Sequence, residues 1–213
     1  RGQVGGGAAM LHLMVMHTSA SLVAHQISAA NHEASNQEAM EATMSRVVPD
    51  AWSEDLFEHT YEGPDDMPGH VKSSLLGASC MIRWPRPASS ATATEPHLWE
   101  HRNVGAGSTR NVCALLVPRA GGGGTVAVQC GPGGWADATE LVREAVASPF
   151  SPEGLVHVSV RGAGTSVFIA DPSAIDAVAA ALKLAVPDAY GPAAASARAA
   201  VAGAGVTIPL VEG

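Results

Sequence analysis

The sequence predicts an α+β fold, because clear strand patterns and clear helix patterns both occur along the chain. Residues 10–17 alternate in the manner of a strand with at least one buried side. Residues 36–48 carry apolar side chains at helical spacing. Further on, Asp137 and Glu140 have the spacing of a capping box that opens a helix through Val146.

The first strand leads towards a candidate site. Leu11, Leu13 and Val15 share one face of this strand, and parity puts His17 on the same face at the strand end. At that position a side chain can leave the core and reach a functional site.

The first helix is expected to begin at Asn36, which can cap it, and to run to about Val48. Its inner stripe is apolar and is interpreted as plain core packing. The stripe consists of Met40, Met44, Val47 and Val48.

Residues 59–70, HTYEGPDDMPGH, are the most informative stretch. Two histidines bracket three carboxylates, a Gly-Pro pair and a second proline, so we expect a shaped loop and not a helix or strand. Such a loop suits a metal, a phosphate clamp or acid–base chemistry, or else is a solvated acidic turn. Residues 71–82 are expected to form another core strand, and residues 83–97, with three prolines, an irregular connection.

Composition limits the classes of function. The chain has 213 residues, of which 46% are hydrophobic and 15% charged, so a buried core is expected. A net charge of −8 argues against nucleic-acid or anionic-membrane partners. Three widely spaced cysteines indicate a reducing compartment, such as the cytoplasm or an organellar stroma. The first residue is Arg, and we expect a processed form or a fragment.

Three motifs carry a resemblance to a known family. They are LHLMVMHTSASLV (Leu11–Val23), HTYEGPDDMPGHVKSSLLG (59–77) and LWEHR (Leu98–Arg102). In this order and near this spacing they resemble the YjbQ family of secondary thiamine-phosphate synthase proteins. The resemblance covers roughly residues 10–82 and 97–103. Ahead of LWEHR, the proline-rich stretch replaces the strand-turn-strand that the family generally has there.

The resemblance implies a sandwich of antiparallel-rich sheets with flanking helices, assembled as a homotrimer. The sequence itself contains an internal repeat, because residues 154–171 align without gaps on residues 9–26. We therefore expect an N-terminally truncated domain that carries the site (1–119), a Gly-rich flexible linker (120–124) and a partial second copy without site motifs (125–213).

The resemblance further implies weak thiamin phosphate synthase activity on a small phosphorylated metabolite. Hydroxymethylpyrimidine diphosphate would join thiazole phosphate and release pyrophosphate. A divalent metal, zinc or magnesium, is expected on His17, His59 and His70. The candidate catalytic residues are His17, Glu62, Asp65, Asp66, Glu100 and Arg102. A phosphate or diphosphate is expected to bind Lys72, Ser73 and Ser74, although an exposed strand start explains these three residues equally well.

Two alternatives stay open at this point. One is a metal-dependent phosphoester or metabolite hydrolase that uses the same three histidines. The other is a catalytically inactive scaffold in which both copies only pack and assemble.

Overall fold

The described part of the chain combines helices with strands that pair in antiparallel fashion. A computed structural model describes residues 9–27, 34–84, 93–104, 108–118, 125–131, 134–146, 154–160, 164–191 and 193–210. Its strands are β1 (Ala9–Val15), β2 (Ala20–Ile27), β3 (Ser79–Trp84), β4 (Ala93–Glu100), β5 (Val112–Pro118), β6 (Gly154–Ser159) and β7 (Gly205–Leu210). Its helices are α1 (Ala34–Val47), α2 (Trp52–Leu56), α3 (Asp66–Leu76), α4 (Thr139–Val146), α5 (Ile175–Ala185) and α6 (Ala194–Ala202). The predicted α+β class is confirmed.

β1 is the middle strand of a three-stranded sheet in the order β3-β1-β5. It pairs antiparallel with both neighbours, and Leu13 faces Cys80 on one side and Ala114 on the other. The predicted first strand is thus confirmed. Val15, at its last position, is buried, and His17 follows just past the end of the strand.

A second sheet pairs β2 with β4, and this pairing positions the closing motif. Ala20 faces Glu100, and the backbone N–H of His101 donates to the carbonyl of Ser19 at 3.2 Å. The expected irregular connection is wrong for residues 93–97, which belong to β4. Because each strand of a two-stranded sheet has a free edge, Pro96 needs no ladder partner for its missing N–H. Residues 85–92 lie outside the described part.

Helix α3 begins inside the segment that was expected to be a loop. It starts at Asp66 and includes Pro68 as its third residue. Proline is tolerated there because first-turn N–H groups have no intrahelical partner. The expected strand over residues 71–82 is therefore wrong for residues 71–76, which are helical. Within this range the strand begins only with β3, at Ser79.

The core combines both ends of the chain. Buried Val23, Met44 and Leu76 pack with Val186 and with two alanines of α6, Ala194 and Ala197. The predicted methionine stripe is confirmed as core, because Met44 and Val48 are buried and Met40 and Val47 pack against this cluster. The expected cap is wrong, since α1 already begins at Ala34 and so includes Asn36.

The C-terminal third has its own hairpin and a capped helix. β6 pairs antiparallel with β7. The carboxylate of Asp137 accepts from the backbone N–H of Thr139 at 2.8 Å, as the predicted helix start requires. β6 occupies the place of β1 in the sequence repeat, but residues 165–170 do not form a counterpart of β2. The predicted linker glycines lie outside the described residues, and the domain division stays a prediction. Across the described ranges no helix is long and apolar enough to cross a membrane.

Candidate functional site

A tight turn brings the acidic side chains of the 59–70 segment together. Gly63 has φ 117°, a left-handed conformation that favours glycine. The N–H of Gly63 donates to the Thr60 carbonyl, and the N–H of Asp66 donates to the Gly63 carbonyl. Asp65 takes the N-cap position of α3, and Asp66 is the first helical residue.

Asp66 is the centre of the site. Its side chain is 1% exposed. Oδ2 lies 3.4 Å from Nε2 of His59, and Oδ1 lies 3.5 Å from Nε2 of His70. Nη1 of Arg102 forms an ion pair with Oδ1 at 2.7 Å. Neither oxygen has a hydrogen bond of good geometry from any residue that the structure describes. A buried carboxylate in this condition is unusual and calls for an explanation.

Arg102 joins the closing motif to the acidic turn. Its Nη2 donates to the backbone carbonyl of Glu62 at 2.7 Å, and its Nη1 lies 3.4 Å from the Glu62 carboxylate. Nε is 3.9 Å from Asp65, whose Oδ2 accepts from the backbone N–H of Asn103 at 2.6 Å. The guanidinium therefore contacts all three carboxylates of the turn, and it is held in one place.

Gly69 allows this close approach. A Cβ atom at this position would lie 3.3 Å from Cγ of Arg102, 3.4 Å from Cβ of Ser19 and 3.5 Å from the His101 carbonyl. Most real Cβ contacts are longer, so a glycine lets α3 approach the end of β4.

His17 and His70 line a common cleft of about 370 Å³ between the end of β1 and α3. Nδ1 of His17 accepts from the backbone N–H of Ser19 at 3.2 Å, and the Ser19 hydroxyl lies 3.1 Å from the same nitrogen. Nδ1 of His70 lies 3.0 Å from the Thr18 carbonyl. Two neighbouring residues of the turn after β1 thus orient both imidazoles.

Glu100 and His101 stand beside the site without entering it. Glu100 accepts from the backbone N–H of Arg102 at 3.1 Å and forms an ion pair with Arg110 at 2.6 Å. His101 is buried, and its Nε2 lies 2.8 Å from the Ser21 hydroxyl. Burial lowers the pKa of His101 to about 4, because the charged ring would lose its hydration.

Lys72 is not brought to the cleft. It is 2% exposed, and its Nζ lies 3.2 Å from the Ser45 hydroxyl and 3.6 Å from the carboxylates of Glu41 and Asp50. It therefore connects α3 to α1 and to the turn that follows α1. A phosphate in the cleft would not reach it.

Of the predicted phosphate ligands, Ser73 and Ser74 do line the cleft. Their hydroxyl protons are directed to backbone carbonyls, from Ser73 to Ala20 and from Ser74 to His70, both at 2.8 Å.

The predicted metal ligands divide into two places. Among the described residues, the candidate ligand atoms of His59, Glu62 and Asp66 all lie within 4.8 Å of one another. His70 reaches the same carboxylate of Asp66, whereas His17 lies in the cleft with its Nδ1 engaged by Ser19.

Sequence reasoning missed the residues that orient the site. Thr18 and Ser19 follow His17 directly, and a serine two residues beyond a candidate histidine is a signal that could have been used. No local pattern pointed to Arg110, which pairs with Glu100 from the stretch before β5.

The chain is similar in sequence to known proteins of one family. The model of the family described as UPF0047 protein YjbQ-like matches residues 3–86. The UPF0047 protein YjbQ of Escherichia coli O157:H7 is 40% identical over 108 residues, which are 50% of this chain and 72% of that protein. The protein of the same name from Salmonella typhimurium is 38% identical over 109 residues, with the same shares covered. No solved structure matches the chain.

Proposed function

Since the chain belongs to the YjbQ-like UPF0047 family, we propose that it is a weak thiamin phosphate synthase. It would join hydroxymethylpyrimidine diphosphate to thiazole phosphate and release pyrophosphate. The observation that carries this proposal is the buried Asp66 carboxylate, which lies between two imidazoles and the Arg102 guanidinium. This arrangement presents both signs of charge within one small site.

The residues present fit a divalent metal, zinc or magnesium. Ligand atoms about 2.1 Å from a tetrahedral zinc ion lie about 3.4 Å from one another. Nε2 of His59 is 3.4 Å from Asp66 and 3.7 Å from Glu62, distances that are close to that spacing and longer than most hydrogen bonds. Oδ2 of Asp66, which has no hydrogen bond and is not the oxygen that Arg102 contacts at 2.7 Å, agrees with this assignment. The proposed ligands are His59, Glu62 and Asp66, with His17 set aside.

A bound divalent ion would place positive charge beside the leaving diphosphate. The protein then has to promote cleavage of the C–O bond between the pyrimidine methylene and the diphosphate. The electron pair of this bond leaves on pyrophosphate, and the lone pair of the thiazole nitrogen forms the new C–N bond. Positive charge develops on the pyrimidine carbon meanwhile, and the nearby carboxylate of Asp65, 13% exposed, is suited to stabilise it.

Arg102 and Glu100 hold this arrangement in position. Arg102 fixes the turn through its contacts with Glu62, Asp65 and Asp66. Glu100 in turn accepts from the backbone N–H of Arg102. Preorganised charges of this kind act without reorganisation at the moment of reaction.

A metal-dependent phosphoester hydrolase is the second candidate, because the same cluster can activate water as readily as it can bind a diphosphate. A serine hydrolase is disfavoured: Ser19 and Ser21 are 0% exposed, and Ser21 is engaged with buried His101. A catalytically inactive scaffold is the third candidate; it would keep the Arg102–Asp66 ion pair but gives no task to His59 and His70, which approach Asp66 to 3.4 and 3.5 Å.

Product analysis tests the proposal. The purified chain is incubated with both precursors and with zinc or magnesium, and thiamin phosphate and inorganic phosphate are measured by chromatography. Asp66→Asn is the test variant. Asp55→Asn, on the exposed surface of α2, makes the same chemical change outside the site and is the control.

Thiamin phosphate formed by the wild type and by Asp55→Asn, and lost in Asp66→Asn, is the expected result. Inorganic phosphate without thiamin phosphate would favour the hydrolase. If the folded wild type forms neither product with either metal, the scaffold is the better description.

A further inference from the structure

The cleft between the end of β1 and α3 has a hydrogen-bonding pattern that limits what it can bind. We call it the β1–α3 cleft. It has a volume of about 370 Å³, and its lining residues are His17, Thr18, His70, Ser73, Ser74, Gly77 and Ala78.

His17 presents a donor to this cleft. A backbone N–H can only donate, so Nδ1 of His17 must accept from Ser19, and the proton of the neutral ring is on Nε2. Nε2 of His17 has no hydrogen-bond partner in the part of the chain that the structure describes. An Nε2 that carries a proton cannot ligate a metal, but it can donate to a ligand.

His70 has the opposite tautomer. A carbonyl can only accept, so Nδ1 of His70 carries the proton that Thr18 receives. The other ring nitrogen, Nε2, is directed towards Asp66, 3.5 Å away. Both ring nitrogens of His70 are therefore engaged outside the cleft, and His70 offers it no donor. The two histidines of the cleft therefore have different tasks.

The rest of the lining disfavours an anion. The hydroxyl protons of Ser73 and Ser74 are engaged by carbonyls, so their oxygens are left as acceptors. Lys72 is buried against Glu41 and Asp50, and no cationic side chain belongs to the described lining. Among the described lining side chains, the donors left for a phosphate are two uncharged groups, Nε2–H of His17 and the hydroxyl of Thr18.

We infer that the β1–α3 cleft binds the uncharged nitrogen heterocycle of a substrate. Nε2–H of His17 donates to a ring nitrogen, and Oγ of Ser74 accepts from an adjacent exocyclic amine. This inference rests on the proposed function, since it assigns the aminopyrimidine ring to this cleft and leaves the diphosphate to the cluster of His59, Glu62 and Asp66.

Binding of 4-aminopyrimidine alone tests the inference without turnover. Its dissociation constant is measured by NMR titration for the wild type and for two variants of one position. His17→Asn keeps an acceptor for the Ser19 N–H but is too short to replace Nε2–H. His17→Gln places an amide N–H near the position of Nε2. Unsubstituted pyrimidine and inorganic pyrophosphate are the comparison ligands.

We expect His17→Asn to weaken the binding of 4-aminopyrimidine about 5-fold, because this is the effect of losing one neutral hydrogen bond. His17→Gln should restore most of the lost affinity. Ser74→Ala should weaken 4-aminopyrimidine about 5-fold and leave pyrimidine unchanged. Absence of 4-aminopyrimidine binding to the folded wild type would overturn the inference. The inference would also be overturned if pyrophosphate bound more tightly than 4-aminopyrimidine and His17→Asn abolished the binding of pyrophosphate. Heterocycle binding without thiamin phosphate formation would support the cleft assignment and refute the synthase.

Discussion

The Arg102–Asp66 ion pair is the contact on which the geometry of the site most depends, and it can be tested through stability. The perturbation is Arg102→Met, which keeps much of the side-chain volume and removes the charge. Asp66 is 1% exposed and would lose its closest cation, at 2.7 Å. Breaking a buried pair by removing one partner costs about 3–5 kcal/mol. Because Arg102 is 22% exposed, we expect the low end, about 3 kcal/mol.

The chain offers a matched control with the same distance and different burial. Arg143 and Glu140 also lie 2.7 Å apart, but their side chains are 72% and 74% exposed. Arg143→Met should lower the free energy of unfolding by less than about 1 kcal/mol, because water replaces an exposed partner. Both variants are compared with the wild type by urea denaturation at pH 7.

A double-mutant cycle completes this test. In the Asp66→Asn background the buried carboxylate charge that Arg102 compensates at 2.7 Å is gone, so Arg102→Met should cost about 2 kcal/mol less than in the wild type. Equal costs for the two arginine variants, or an additive cycle, would refute the argument that burial makes the Arg102 pair important.

Three further predictions concern single residues. Gly69→Ala should not raise the free energy of unfolding by the roughly 1 kcal/mol that is usual for this change inside a helix, because the new methyl group would lie 3.3 Å from Cγ of Arg102. A full increase of this size in urea denaturation would contradict the prediction. His101→Gln should weaken the acid dependence of stability. The pKa of His101 is about 4 in the folded protein against 6.5 in the unfolded chain, so the folded state loses up to about 3 kcal/mol as pH falls from 6.5 to 4. Equal slopes for the wild type and the variant over this range would refute the assignment. Burial raises the pKa of Cys80 to about 11, whereas Cys113 and Cys130 are exposed. A thiol reagent at pH 8 should therefore modify two cysteines quickly and Cys80 slowly, as judged by mass spectrometry.

The sequence predicts those parts of the fold in which one periodicity dominates. β1 and the buried stripe of α1 follow from side-chain alternation and helical spacing, and the structure confirms both. The boundary at Asp66 could not be predicted in the same way. Two prolines and two glycines indicate a loop, yet Pro68 falls in the first turn of α3, where a missing N–H costs nothing. Position relative to the helix start decides the effect of a proline, and local sequence does not reveal that start.

The site shows the same division between local and long-range information. The motifs identified His59, Glu62, Asp66 and His70, and the structure brings these four side chains together. The position of Lys72 was not predictable, because its burial depends on Glu41 and Asp50, which lie more than twenty residues away in sequence. A lysine beside two serines is an equally good phosphate ligand or core ion pair until the partners of α3 are known.

The pairing of β2 with β4 is the long-range step that makes a site out of these motifs. Ala20 faces Glu100, so the turn after β1 and the closing motif lie side by side at one end of this sheet. From that end Thr18 and Ser19 orient the two histidines of the β1–α3 cleft, and Arg102 reaches back across Gly69 to Asp66. The cleft and the carboxylate cluster are therefore adjacent because one strand pair aligns them. A substitution that weakens this pairing should impair both the proposed heterocycle subsite and the proposed diphosphate subsite, although it touches neither.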